Sequence, residues 1–190
     1  MLKDKLSKLE EQVKLYKTIV KNNDRFNKLS KMEKRVAIAK DVLEQIKIKK
    51  FKPAIGGYLN LDEPIEEEIN IQELLITKET TCTVCAIGGI FASKVILGNK
   101  CDTTLDRYDT GIDDDIMIDN LKSIFSEKEL RKIEYAFEGF DVSYGDMNFS
   151  DKECSKYETF FESFENTEHR LKAIMLNIIK NKGKFVVVIR

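Results

Sequence analysis

Two prolines and nine glycines among 190 residues leave long stretches of this chain without breakers, which argues against a sandwich or barrel built from many tight turns and for helices. No run approaches the roughly 18 apolar residues that a membrane span requires. The N-terminus, Met1-Leu2-Lys3-Asp4-Lys5, leads into charged helical sequence in place of a signal-peptide apolar core, so a cytoplasmic protein without membrane partners is expected. The sequence holds one histidine, His169, and no G-x-S-x-G, P-loop or dinucleotide fingerprint. Neither a hydrolytic triad nor a nucleotide site can therefore be assembled by motif, and a protein that is not an enzyme and carries no cofactor is expected. His169 itself stands in the first turn of a helix among charges, where a solvated surface histidine fits best.

What the chain does have is enough apolar sequence to fold. Apolar residues make up 42% and charged residues 34%, outside the range of chains that cannot offset their own entropy, and the length suits one domain with a sizeable core. The formal net charge of −1 hides a segregation: residues 1 to 52 carry a net +9, residues 53 to 169 a net −16, and residues 170 to 190 six basic side chains and no acidic one. Basic ends packed near an acidic middle would account for this. So would a basic face offered to a polyanion, or an acidic face offered to a basic partner.

Along the chain, Leu2, Leu6, Leu9, Val13, Tyr16 and Val20 recur at alternating spacings of four and three, the seam of a heptad pattern. The stripe covers under three heptads and then meets Asn23 and Asn27. A segment over 1–29 of this kind needs something to pack against: its own domain, a second copy in a coiled-coil homodimer, or a partner. The remainder, 30–190, is expected to form a single helical domain.

Within that domain Ser30 and Glu33 make a capping box for a helix over about 31–48, with Val36, Ala39, Val42, Leu43 and Ile46 on its apolar face. Gly56-Gly57 opens an extended piece around Tyr58 to Leu61. Ile69 and Ile71 alternate as a strand would, while Leu74 to Ile76 also suits a helical turn. The run Cys82 to Leu97, dense in small residues, reads as a central buried helix, with Gly88 and Gly89 letting a neighbouring helix approach. A helical hairpin follows, from Asp113-Asp114-Asp115 to about Phe125 and, from a second capping box at Ser126 and Glu129, to Gly139. After a polar loop over about 140–152, a Phe-rich helix leads to a last helix capped at Asn166 or Thr167. The β-branched residues in 184–189 read as a C-terminal strand, with Tyr58 to Leu61 or Ile69 to Ile71 as partners. The expected fold is thus mainly α, a bundle around a central helix over 82–97, with a minor two- or three-stranded β element.

Three constellations invite chemistry. Cys82-Thr83-Val84-Cys85 has the spacing of a redox pair or half a zinc site, with Cys101 and Cys154 as further thiols. Its flanks are almost wholly apolar and no second paired knuckle exists, so buried free cysteines acting as small apolar side chains are expected. The loop Asp106 to Asp113 fails as an EF-hand: with Gly111 at the sixth position, Met117 falls where the bidentate carboxylate belongs. Lys47, Lys49, Lys50 and Lys52, interleaved with Phe51, would give phosphate contacts and a stacking ring for a nucleic acid, but lysine dominates where base reading favours arginine.

The segments Arg35 to Leu43, Gly57-Tyr58-Leu59, Cys82 to Gly88 and Arg170 to Asn181 resemble a group of small helical proteins encoded by tailed phages and prophages, over about residues 33 to 185. That group has no known activity, so the resemblance assigns no functional residue. What it implies is context: a phage protein in a bacterial cytoplasm, where binding and inhibiting host or antiviral defence components is a common task. The leading expectation is a protein-binding protein using the stripe Leu2, Leu6, Leu9, Val13, Tyr16 and Val20 or the acidic middle. A nucleic-acid binder is the alternative, and a zinc-stabilised or metal-dependent protein the distant one.

Overall fold

The computed structural model describes residues 17, 20–21, 23–76, 80–98, 101, 103–107, 109–139 and 149–188. After helical residues 23–27, the elements are α1 (Lys31–Lys47), β1 (Phe51–Pro53), β2 (Leu59–Leu61), β3 (Ile69–Asn70), α2 (Ile71–Ile76), β4 (Cys82–Val84), α3 (Ala86–Leu97), β5 (Thr104–Leu105), α4 (Asp114–Leu121), α5 (Glu127–Glu138), α6 (Asp151–Glu162) and α7 (Thr167–Lys180). The chain is mainly helical with a minor β element, as the scarcity of breakers predicts. Among the described residues no helix is long and apolar enough to cross a membrane.

Local chemistry sets the helix starts. In α1 the Ser30 hydroxyl takes the Glu33 N–H while the Glu33 carboxylate takes the Ser30 N–H at 2.9 Å, and Ser126 with Glu129 does the same for α5. A third capping box, Ser150 with Glu153, starts α6 inside what the sequence suggests is a loop. Asn166 caps α7, accepting from Glu168 and His169. Helix α1 buries Ile38, Ala39, Val42 and Ile46 against α3 and α7, whereas Val36 and Leu43 of its expected face are only partly covered.

The central run is divided, correcting the helix expected over 82–97. Cys82 to Val84 form the middle strand of a three-stranded sheet, parallel to β1 (Phe51 beside Cys82) and antiparallel to β2 (Leu59 beside Val84). Cys85 is the N-cap, and the helix begins at Ala86. An unbroken apolar run has no periodicity to separate strand from helix, and two flanking strands, remote in sequence, decide it here. From Ala86 to Val95 every residue of α3 is buried. Gly88 does accept a close neighbour, but the neighbour is strand backbone and not a helix: a Cβ there would lie 1.5 Å from the Tyr58 carbonyl oxygen. Ile69-Asn70 pairs antiparallel with Thr104-Leu105, and α2 follows at once, so strand and helical turn both occur in that stretch.

The C-terminal strand over 184–189 is not formed among the described residues, 184–188. Its β-branched run pairs with no strand among the described residues and is held by helices instead. The Asn177 carboxamide accepts the Val186 N–H at 2.9 Å and donates to the Val186 carbonyl at 2.7 Å, taking the place of a ladder partner. Phe185 stacks on Tyr157 and meets Phe160 edge-on. A single hydrophobic core runs from Phe26 to Ile178 and so reaches back into the segment expected to be an extension.

Candidate binding groove

Of the heptad stripe, Leu2, Leu6, Leu9, Val13 and Tyr16 lie outside the described residues. Val20 is helical and 42% exposed. The two asparagines that end the stripe have a clear role. Asn23 packs against Gly98 at the end of α3 so closely that a Cβ on that glycine, whose φ is +120°, would sit 2.2 Å from the Asn23 Cα. Asn27 Nδ2 donates to the Gly98 carbonyl at 3.4 Å. Between them Phe26 enters the core, 3% exposed. Residues 23–29 therefore dock on their own domain, while Val20, one turn earlier, faces outward.

This docking leaves a groove of about 730 Å³ between residues 25–29, α1 and α7. Its floor is apolar: Leu29, Met32, Val36, Ala37, Leu97 and Ile179, all partly covered, with Phe26 at the base. Arg25, Glu33, Lys40 and Lys182 form its rim. A second depression of the same volume adjoins it along the helix, shares Arg25 and Leu29, and adds Lys17, Val20, Lys21, Asp24 and Lys28. Together the two present six cations, and none of the six is ion-paired among the described residues. Glu33, one of the two rim carboxylates, is engaged in the α1 capping box.

The acidic middle forms a third depression, of about 640 Å³, around the loop after β2, lined by Asp62, Glu63, Glu66, Glu67, Glu68 and Glu73. Asp62 accepts from Lys52 Nζ at 2.5 Å and from the Thr81 hydroxyl, and these partners hold its carboxyl below the usual range. The apolar residue of the loop, Ile65, is buried at 8% exposure. A partner here would meet charge without the desolvated apolar anchor on which protein interfaces depend.

The other sequence candidates are placed as follows. Cys82, Cys85 and Cys101 are buried, Cys154 is half-buried on α6, and all four are free. Burial pushes the Cys82 thiol up to about 12 and the Cys85 thiol well above its ordinary value, so both are protonated, the opposite of what redox exchange or zinc ligation needs. Among the described residues no group of three or more His, Cys, Asp and Glu is placed to hold a metal ion. In the basic run, Lys47 pairs with Glu44 and Lys52 with Asp62, Lys49 is exposed, Lys50 is buried, and Phe51 is 2% exposed in β1. Phe51 is a core residue that cannot stack on a base.

Several buried polar side chains had no signal in the sequence, because their partners are remote. Lys94, 1% exposed, donates to the Asn120 carbonyl and to Asn120 Oδ1 at 2.7 Å, covering the C-terminal end of α4; burial lowers its pKa to about 8. Arg35 grips Glu129 through two bonds of 2.6 and 2.7 Å, donates to the Ile124 carbonyl at 2.9 Å and lies over the Phe125 ring. Arg170 donates to the carbonyls of Phe137 and Phe164 and stacks on Phe161. Glu134 accepts from the Tyr58 hydroxyl and from Arg131; nearby, burial first and then neighbouring carboxylates raise the carboxyl of Asp114, beside Asp113 and Glu134, and that of Glu138, beside Glu134 and Asp114. This last cluster comes nearest to a catalytic constellation, but the thiol beside it, Cys85, is protonated and 1% exposed.

Protein families, characterised proteins and solved structures hold no match to this chain.

Proposed function

We propose that the protein is a non-enzymatic protein-binding protein that receives its partner along the N-terminal helix and the groove beside it. In the setting implied by the likeness to phage proteins, the partner is a host or antiviral defence component of the bacterial cytoplasm. One observation carries this reading: Val20, the described member of the apolar stripe, is 42% exposed next to an apolar groove floor. Continuous apolar surface rimmed by polar side chains is the anatomy of an interface.

The test is capture of the tagged full chain from its bacterial host, with and without nuclease, read by mass spectrometry. A single dominant protein is expected to survive nuclease and to be lost from Val20→Asp or Leu9→Asp protein. Recovery of nucleic acid alone, or of proteins that vanish with nuclease, would overturn the reading. Six cations without an ion pair among the described residues favour that rival, nucleic-acid binding; against it, the described rings beside these cations and the basic run, Phe26 and Phe51, are both buried.

A further inference from the structure

We infer that the groove takes an acidic amphipathic helix of the partner protein. This rests on the protein-binding reading above and specifies its chemistry. The cations form an ordered frame. Lys17, Lys21 and Arg25 follow one another at spacings of four, which places them on one helix face, and Lys28 stands in the turn just after it. Lys40 on α1 and Lys182 just beyond α7 belong to the rim of the groove that Arg25 shares. Between these cations runs the apolar floor from Val20 and Leu29 to Val36 and Ile179.

A ligand complementary to this frame has an apolar stripe flanked by negative charge. An amphipathic helix with hydrophobic anchors at i, i+3, i+4 and i+7 and Asp or Glu on its flanks supplies both in one rigid element. An added strand would need a free sheet edge, and the groove walls are helical and loop residues. A nucleic acid would satisfy the cations and, among the described residues, find no exposed ring on the apolar floor to stack on. A basic or neutral helix would leave six positive charges facing it without compensation.

The probes are two synthetic helical peptides of about 18 residues, long enough for a stable helix once held in a groove. They share one leucine stripe; one has Glu and the other Lys at the flanking positions. A fluorescent single-stranded oligonucleotide is the third probe. Binding to the full chain is read by fluorescence anisotropy at two salt concentrations, with folding of each variant checked by circular dichroism. The Glu peptide is expected to bind and to weaken about tenfold or more between roughly 0.05 and 0.5 M salt, as screening of its rim contacts requires. The Lys peptide and the oligonucleotide are expected to bind more weakly than the Glu peptide.

Charge reversal at two exposed positions, Lys21→Glu with Arg25→Glu, should exchange the preferences of the two peptides without loss of fold. Val36→Glu should weaken both. Equal binding of the two peptides, a preference for the Lys peptide, or tighter binding of the oligonucleotide would overturn the inference. The two levels fail separately. A captured host protein that survives nuclease and is indifferent to the charge reversal would leave the protein-binding reading intact and remove the acidic helix. Selective binding of the Glu peptide with no captured protein would do the reverse.

Discussion

Adjacent glycines in α3 should respond to the same substitution with opposite signs. At Gly89 an added Cβ would meet Val84 Cγ2 at 3.6 Å and Val42 Cγ1 at 3.8 Å, ordinary contact distances. Nothing must move, and Gly89→Ala should gain up to about 1 kcal/mol of helix propensity. At Gly88 the same Cβ would fall 1.5 Å from the Tyr58 oxygen and 2.4 Å from the Tyr58 carbonyl carbon. Both are backbone atoms that no rotamer change can withdraw. Reaching even a 3.0 Å contact requires α3 and the start of β2 to part by about 1.5 Å. The Tyr58 carbonyl is also the acceptor for the Cys85 N–H at 3.1 Å, which joins the N-cap of α3 to the strand. Overpacking of this kind costs roughly 1–3 kcal/mol and the hydrogen bond roughly 1 kcal/mol more, set against the same gain of about 1 kcal/mol in propensity. Gly88→Ala should therefore lose roughly 1–3 kcal/mol, and the two variants should differ by about 2–4 kcal/mol. Urea unfolding followed by far-ultraviolet circular dichroism measures the difference directly. If Gly88→Ala is as stable as Gly89→Ala, the close approach of α3 to the strand backbone is wrong, and with it the division of Cys82 to Leu97 into strand and helix.

Three further outcomes are expected. With a thiol reagent at about pH 8, Cys154 should react in the native protein while Cys82, Cys85 and Cys101 wait for denaturant, because the latter three are buried; fast modification of Cys82 would refute the buried-strand assignment. Lys94 keeps a folded-state pKa of about 8 against an ordinary 10.5, so between those values the unfolded chain binds more protons and this group's contribution to stability rises with pH. Lys94→Met should remove that rise, seen as a smaller gain, or a larger loss, in urea stability between about pH 7.5 and 9.5 than wild type shows; parallel pH profiles would refute the burial of this ammonium. Arg35→Lys should cost roughly 3 kcal/mol, since a lysine cannot hold both Glu129 oxygens and the Ile124 carbonyl at once, and a loss below about 1 kcal/mol in thermal or urea unfolding would show the pair to be peripheral.

How far the sequence speaks for the structure depends on the range of the interaction. The capping boxes at Ser30 and Ser126 are legible because donor and acceptor stand three residues apart. Ser150 and Glu153 carry the same signal, hidden by the polar stretch before them. The central run could not be divided from within. What makes Cys82 to Val84 a strand is Phe51 to Pro53 on one side and Leu59 to Leu61 on the other. The C-terminal run fails for the converse reason: its strand propensity is real, but the side chain of Asn177 takes the hydrogen bonds of Val186. Phe51 was readable as a ring among lysines, and only the sheet pairing shows that it points into the core.

The groove is half legible for the same reason. The cations and the heptad stripe are present in the sequence, but the floor is assembled from Leu29, Val36, Leu97 and Ile179, which no local pattern unites. The stripe does carry one further message, in where it stops. A heptad seam that continued in apolar residues through positions 23 and 27 would cover the end of α3 with side chains and hold the helix away from it. Asn23 lets the backbone close to 2.2 Å of where a Gly98 Cβ would stand, and Asn27 donates to the carbonyl of that glycine. From Asn23 on, the seam is thus made for its own domain, and at Val20 it is left uncovered by the described chain. An apolar position costs solubility wherever it is left in water. Under the proposed reading, a partner helix of complementary charge closes over that position and the cations beside it.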